Sequence, residues 1–325
     1  MKAIVIKQYG GSDQLEIKDI PVPQSKAGRV LIKVKAFGVN RAETYMRRGL
    51  FGDVAKVTGI ECVGQVEDDP SGKLKKGQTV AAIMGGMGRK TNGSYAEFTS
   101  VPAANVFVVH TNIPWEDFAA LPESYATAWA VLHDNLKLKK GDIVFIRGGT
   151  SALGQAAINI AANTEEVQVL ASTRNQDSFG LLKELGARHV ILEDGNTGAQ
   201  IRQLYPDGID SVMDIIGNST MLDSFKGVKK GGHVCNAGFL GGSDPIPFNP
   251  LADMPSSVNF SFFASFNFGA KDFPLSSIPM QTIVDRATDR IYKALPQKTF
   301  SFSEISKAHD LMESNSVQGK IVVLL

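Results

Sequence analysis

The chain is short of nearly everything that marks a secreted, metal-clustering or nucleic-acid-binding protein. Only two cysteines, Cys62 and Cys235, occur among 325 residues, too few for a disulfide framework or a four-thiolate zinc site. The five histidines (His110, His133, His189, His233, His309) are scattered, with no helical or loop spacing that brings two together on a metal. Charge of one sign is missing too. Lys and Arg total 34 against 33 for Asp and Glu, so no net field exists to attract nucleic acid or an anionic membrane. No apolar run is long enough to cross a bilayer, and the amino terminus, MKAIVIKQYG, turns polar too soon for a signal peptide. These absences lead to the expectation of a cytoplasmic protein that holds no metal and acts on a small molecule.

Length and apolar content are present instead. With 325 residues, 43% of them hydrophobic, the chain has material for two domains, each with its own core. The stretch that organises one of them is Asp142 to Gly154, DIVFIRGGTSALG. An apolar run (Ile143, Val144, Phe145, Ile146) ends in glycines, and a helical pattern of small and branched residues follows from Gln155 to Ala162. A strand, a tight turn and a helix in that order aim backbone N–H groups and the positive end of the helix at one spot, which suits a pyrophosphate. The dinucleotide fingerprint G-x-G-x-x-G is met in part, as Gly149-x-Ser151-x-x-Gly154, with Thr150, Ala152 and Leu153 in the turn. VQVLAS, Val167 to Ser172, supplies the second strand of the βαβ unit. At its end, where an NAD site carries an acid, stand Ser172, Thr173 and Arg174. A guanidinium flanked by two hydroxyls suits a 2′-phosphate, so the coenzyme read from these residues is NADPH.

From Met1 to about Pro114 short strands are broken by turn residues: KAIVIK, LEIKDI, RVLIKVKAFGVN, Glu61 to Val66, Thr79 to Ile83, Ser94 to Ser100 and Asn105 to Val109. This half is β-rich and barrel-like. After Trp115 the period becomes helical, and after Gly141 strands and helices alternate: helices at Phe179–Leu185, Gln200–Leu204 and Ser219–Val228, strands at His189–Leu192, Ser211–Ile216, Gly232–Ala237 and Val258–Ala264. Six strands with intervening helices predict a doubly wound parallel sheet. A long helix is expected over Ile278–Leu295. The last strand, Gly319–Leu325, needs a sheet to join, and the first domain offers one. The predicted domains are therefore residues 1–118 with 273–325, and 119–272 as an insertion.

The order of segments resembles the medium-chain dehydrogenase/reductase superfamily, in its zinc-independent quinone oxidoreductase branch. The resemblance runs from end to end: GVNRAETYMRRGLF (Gly38 to Phe51), GIECVGQV (Gly59 to Val66), KKGQTVA (Lys75 to Ala81), GSYAEF (Gly93 to Phe98), ALPESYATAW (Ala120 to Trp129), the glycine turn, and AHDLMESNSVQGKIVV (Ala308 to Val323). It implies an α/β protein with a GroES-like catalytic domain and a Rossmann domain. Zinc alcohol dehydrogenases of the superfamily carry a cysteine where Asn40 stands and a histidine where Ile60 stands. Their structural-zinc cysteines correspond to the loop Gly85 to Asn92, which has none.

Without a metal to polarise the acceptor, quinones and α,β-unsaturated carbonyls are favoured, because charge arriving with a hydride delocalises to an oxygen that hydrogen-bond donors stabilise. The resemblance places Asn40, Tyr45 and Arg48 at the substrate, with Glu43 a candidate partner of Arg48. Thr127 matches the position from which family members hydrogen-bond the nicotinamide or the catalytic segment, Asn236, Ala237 and Gly238 border the nicotinamide, and Phe239 adds apolar surface. Lys320 is read as reaching the phosphates. Asp214 reads as a cap on the turn that follows its strand. Two alternatives stay open. One is an enoyl-thioester reductase whose phosphates meet Arg47, Arg48, Arg89 and Lys90; the other is a low-turnover NADPH-binding sensor or structural protein. A homodimer is implied, with VNFSFFASF as its apolar edge.

Overall fold

The computed structural model describes residues 1–293 and 295–325. The chain forms two compact units: Met1–Glu123 with Ser265–Arg290 and Leu295–Leu325, and Ser124–Ala264 with Ile291–Ala294. The main span of the second unit, 124–264, lies inside the 119–272 expected from the sequence, whereas residues 291–293 were expected in the first unit and group with the second. The segment after Ala264 goes with the first unit because the buried Asn105 amide donates to the carbonyls of Ile83 (3.0 Å) and Phe268 (2.8 Å).

In the first unit, β1 (Lys2–Ile6) and β2 (Leu15–Asp19) form an antiparallel pair. A larger sheet follows from β3 (Arg29–Val39), β4 (Glu61–Asp68), β5 (Thr79–Ile83), β6 (Phe98–Pro102) and β7 (Val106–Val108), with α1 (Arg41–Arg47) between β3 and β4. The short helix α2 (Trp115–Ala119) comes next, and α3 (Pro122–Trp129) carries the chain from the first unit into the second, which begins at Ser124. α3 continues as one wide turn, Ala130–Asn135.

The second unit is built from β8 (Ile143–Arg147), α4 (Ala152–Ala162), β9 (Gln168–Thr173), α5 (Phe179–Glu184), β10 (His189–Leu192), α6 (Thr197–Leu204), β11 (Ile209–Asp214), α7 (Asn218–Gly227), β12 (Val228–Asn236), α8 (Pro250–Asp253) and β13 (Asn259–Phe262). Its six strands are all parallel, in the order β10-β9-β8-β11-β12-β13, so the order reverses between β8 and β11. Ligands of doubly wound sheets sit at the carboxyl ends of the strands beside such a reversal. Phe145, Leu170, Val212, Val234 and Phe225 pack its core.

The chain then returns to the first unit. α9 (Met280–Thr288) is much shorter than the helix expected over Ile278–Leu295, since Arg290 has φ +57° and leaves the helical region; Ala294, within that expected helix, lies outside the described residues. β14 (Pro296–Ser301), missed in the sequence, precedes α10 (Ile305–Glu313) and β15 (Lys320–Leu324). β15 pairs antiparallel with β3, Ile321 opposite Val39, and parallel with β14. The returning strand is therefore part of the β3 sheet, whose order is β14-β15-β3-β4-β5-β7, with β6 also on β3. No helix among the described residues is long and apolar enough to cross a membrane.

Candidate functional site

In the second unit the glycine turn joins β8 to α4. β8 ends at Arg147, and Ser151, in extended backbone conformation, caps α4. Its hydroxyl accepts from the Gly154 amide at 3.0 Å and donates to the Gly148 carbonyl at 2.9 Å. Serine at the middle glycine position therefore acts as the N-cap, the role for which serine is among the best residues. The first amides of α4, Ala152 and Leu153, precede any intrahelical acceptor and remain for a ligand. Thr150, Ala152 and Leu153 are half-buried. Gly154 has no substitute, because a Cβ there would stand 2.4 Å from the Gly148 carbonyl oxygen. Close packing of this kind brings α4 against β8 and sets the direction of its dipole.

At the end of β9 the three residues expected to receive the 2′-phosphate divide. Arg174 is exposed, whereas Ser172 and Thr173 are buried. The Ser172 hydroxyl points inward, accepting from the Gly148 amide at 3.3 Å and donating to Glu193 at 3.1 Å. Thr173 accepts from the Asn175 amide at 3.1 Å. Two hydroxyls expected beside the phosphate are thus occupied in shaping the turn, and Arg174 is the exposed cation.

Beneath the turn lies a buried network that reading the sequence missed. Arg147, fully buried, sends its Nε to Glu193 (2.9 Å) and its Nη atoms to Glu193 (2.5 Å), the Thr220 carbonyl (2.9 Å), Ser224 (2.9 Å) and Asp223 (3.0 Å). Attraction to Arg147 overcomes the upward push of burial and holds Glu193 below the usual carboxylate range. Asp214, also buried, accepts from the Ile216 and Gly217 amides and from the Thr220 and Ser224 hydroxyls. This is the capping role read from its place at a strand end. Burial nonetheless raises its pKa. The signal in the sequence was a charge that closes an apolar strand just before a glycine turn; such a charge needs partners.

Thr127 is buried in α3. Asn236 ends β12 and accepts from the Gly238 amide at 3.1 Å, and the loop after it is laced to the loop after β11 by Ala237 to Asp214, Leu240 to Ile215 and Gly241 to Ile216 backbone bonds. Gly238 and Phe239 are half-buried there, with Phe239 5.6 Å from the Phe262 ring.

In the first unit, α1 begins at Asn40 with a capping box: Glu43 accepts from the Asn40 backbone amide at 2.9 Å and from the Ile60 amide at 3.1 Å. The Asn40 side chain, expected to offer both its donors to a substrate, directs one to Glu61 (2.9 Å) and leans the other toward Glu43 (3.4 Å). Its oxygen accepts from the Lys320 ammonium at 2.6 Å, and Lys320 pairs with Glu61 at 2.5 Å. The other Glu61 oxygen accepts from the Glu123 amide at 3.0 Å. Gly38 leaves the space for this cluster, since a Cβ there would meet Lys320 and Glu61 inside 2.5 Å. Burial raises the Glu43 pKa from its ordinary 4.5 to about 7, with Glu61 adding to the rise and Lys320 opposing it. Burial alone would lower the Lys320 ammonium, yet Glu61, Glu123 and Glu43 hold it above its ordinary value.

Lys320, read as a phosphate ligand, is thus a buried counterion of Glu61. Glu43, a candidate partner of Arg48, faces Asn40 and Ile60 instead; the two are five residues apart and do not share a helix face. Arg48 is exposed and lies 3.8 Å from Glu313, while Arg47 is buried, donating to the Gly10 carbonyl and paired with Glu313. Tyr45 is half-buried, its ring edge-on to Phe51 at 5.7 Å.

Comparison with known proteins identifies the family. Residues 26–111 match the family described as Alcohol dehydrogenase GroES-like domain and residues 152–277 the family described as Zinc-binding dehydrogenase. The chain belongs to the medium-chain dehydrogenase/reductase superfamily. Within the superfamily it falls in the quinone oxidoreductase branch. The rat protein named Quinone oxidoreductase is 25% identical over 334 residues, covering 100% of this chain and 98% of that one. A mycobacterial protein solved in complex with NADPH superposes with a TM-score of 0.87 at 26% identity, with both chains fully covered. The enoyl reductase CurK shares the fold, with a TM-score of 0.84 at 20% identity over 99% of this chain and 98% of that one.

Proposed function

We propose that the protein is a zinc-independent, NADPH-dependent reductase of quinones and α,β-unsaturated carbonyls, working in the cytoplasm. The observation that carries this reading is the Ser151-capped turn opening α4, followed at the end of β9 by the exposed Arg174 where an NAD site holds an acid. Bound NADPH would supply the hydride. Ala152 and Leu153 offer amides to the pyrophosphate at the helix terminus, Arg174 offers its guanidinium to the 2′-phosphate, and Thr127, Asn236, Gly238 and Phe239 serve the nicotinamide end. Tyr45 donates to the acceptor oxygen on which negative charge develops. Asn40, whose amide is engaged by Glu61 and Lys320, acts by positioning. Zinc-independence rests on Asn40 and Ile60, since an amide engaged by a lysine and an alkyl chain make no tetrahedral zinc site.

Arg174 supplies the test. Arg174→Ala is expected to raise the KM for NADPH by about 10–100-fold, the worth of one or two charge-assisted hydrogen bonds, and to leave that for NADH within a factor of about two. An unchanged preference for NADPH in steady-state assays with a simple quinone would refute the assignment. For the thioester alternative, Arg47 and Arg48 are no longer available as free cations, because both face Glu313.

A homodimer is part of the proposal. β13 is an edge strand, and Phe260 and Phe262 on it are exposed. An edge of this kind is a pairing template, and pairing about a twofold axis closes it. Light scattering is expected to give twice the chain mass, and Phe262→Lys to shift it toward the monomer. A monomeric parent would refute dimerisation.

A further inference from the structure

The turn at Gly85–Thr91 stands where zinc alcohol dehydrogenases resemble this chain but carry their structural cysteines. Here it is held by its own backbone: the Gly86 carbonyl accepts from Arg89, Lys90 and Thr91 (3.2, 2.9 and 3.1 Å), Gly88 donates to Thr91 (2.8 Å), and the Arg89 carbonyl accepts from Ala55 (3.0 Å). The turn presents Arg89 and Lys90, both exposed, and of the two Arg89 is set against aromatic rings. Its guanidinium lies 5.3 Å from the centre of the Phe51 ring and 5.7 Å from that of Phe266. Both rings are exposed, Phe51 by 40% and Phe266 by 59%. Each comes from a segment fixed elsewhere: Leu50 donates to the Tyr45 carbonyl (2.9 Å), and Asn105 holds the Phe268 carbonyl. No carboxylate pairs with Arg89 among the described residues.

The arrangement has a chemical meaning. Two phenyl rings beside a guanidinium are attracted to it and leave its N–H edge for a planar anion, which arginine binds bidentately. Exposed rings at the same place offer a stacking surface to a flat, electron-poor conjugated system. The strip is continuous with the proposed proton donor, since Tyr45 meets Phe51 edge-on. We propose that Arg89, flanked by Phe51 and Phe266, is a substrate subsite that takes the anionic group of a conjugated acceptor. The proposal rests on the reductase reading for the nature of the acceptor, and names a class within it: acceptors that carry an acid.

The experiment compares an unsubstituted naphthoquinone with its sulfonated counterpart in steady-state NADPH oxidation, with free coenzyme A as a competitor. In Arg89→Met the KM for the sulfonated quinone is expected to rise about tenfold or more, the scale of a hydrogen bond to a charged group, while the kcat for both and the KM for the neutral quinone stay within about twofold. Arg89→Lys is expected to recover part of the loss, because a point charge replaces a fork. Inhibition by coenzyme A that disappears in Arg89→Met would assign the anion to a thioester's phosphates, and selectivity for the sulfonate would assign it to an acidic ring; either supports the subsite. Equal KM changes for the charged and neutral quinones, or none, overturn it. Absence of turnover with both quinones would count against the reductase reading alone. Calorimetric binding of naphthalene sulfonate to the parent and to Arg89→Met then decides the subsite: loss of binding in the variant supports it, and equal binding or none overturns it.

Discussion

Replacing Lys320 with methionine is expected to destabilise the protein by about 3–5 kcal/mol at pH 7, the usual consequence of leaving a buried charge without its partner. Lys320 is the only cation in direct contact with Glu61 among the described residues, and it also holds the Asn40 oxygen. Methionine fills similar volume, so packing loss contributes little; two buried carboxylates are left facing each other. The pH dependence has a definite sign. A carboxylate whose folded pKa lies above its unfolded value favours folding below the unfolded value, and that advantage is lost as pH rises through the folded one. Glu43, already raised from 4.5 to about 7, therefore weakens the parent over that window, and without the Lys320 ammonium that opposes the rise it is raised further. The penalty of the substitution should shrink below pH 4.5 and grow as pH rises. Urea midpoints from pH 4 to pH 8 measure this. A loss under about 1 kcal/mol at pH 7 would place Lys320 outside the range for a buried ion pair, and a penalty that grew toward acid pH would contradict the assignment of charge.

How much of this was legible in the sequence depends on the distance over which each feature is decided. The parallel sheet was readable because each of its strands is a short buried run bounded by turn residues, and the period changes from 2 to 3.6 within the same thirty residues. The glycine turn was readable for the same reason: Ser151, Gly154 and Gly148 constrain one another within seven positions. β14 was not. Pro296–Ser301 is half-exposed and carries Lys and Gln between its apolar residues, so nothing but its pairing with β15 makes it a strand. The charge pairs were the least readable. Glu61 and Lys320 meet because β15 docks on β3 beside β4, and Arg48 turns to Glu313 because α10 packs against α1. Nearness in sequence suggested Glu43 for Arg48, the returning strand suggested a phosphate for Lys320, and tertiary placement overrode both. The same holds for the hydroxyls of Ser172 and Thr173, which sit at the expected end of β9 but face inward.

Arg147 is the other residue whose removal should have a large effect, and the effect should reach the nucleotide turn. The guanidinium is fully buried and is shared by Glu193, Asp223 and, through Ser224 and Thr220, the surroundings of Asp214. Three carboxylates around one cation already leave the cluster short of positive charge; Arg147→Met would leave it with none and is expected to cost about 3–5 kcal/mol or more. Glu193 is the link to function. It accepts the Ser172 hydroxyl, which in turn accepts the Gly148 amide, so the ion pair fixes the relative height of β8 and β9 where Arg174 emerges. Glu193→Gln keeps the shape and lowers the charge, so it should cost less stability while still loosening that chain of bonds. The expected pattern is a large drop in the urea midpoint for Arg147→Met, a smaller one for Glu193→Gln, and in both a rise in the dissociation constant for NADPH that exceeds the rise for a simple quinone. Stability unchanged in Arg147→Met would mean that the carboxylates are protonated and the network is not ionic. Coenzyme affinity unchanged in both variants would separate the network from the turn above it.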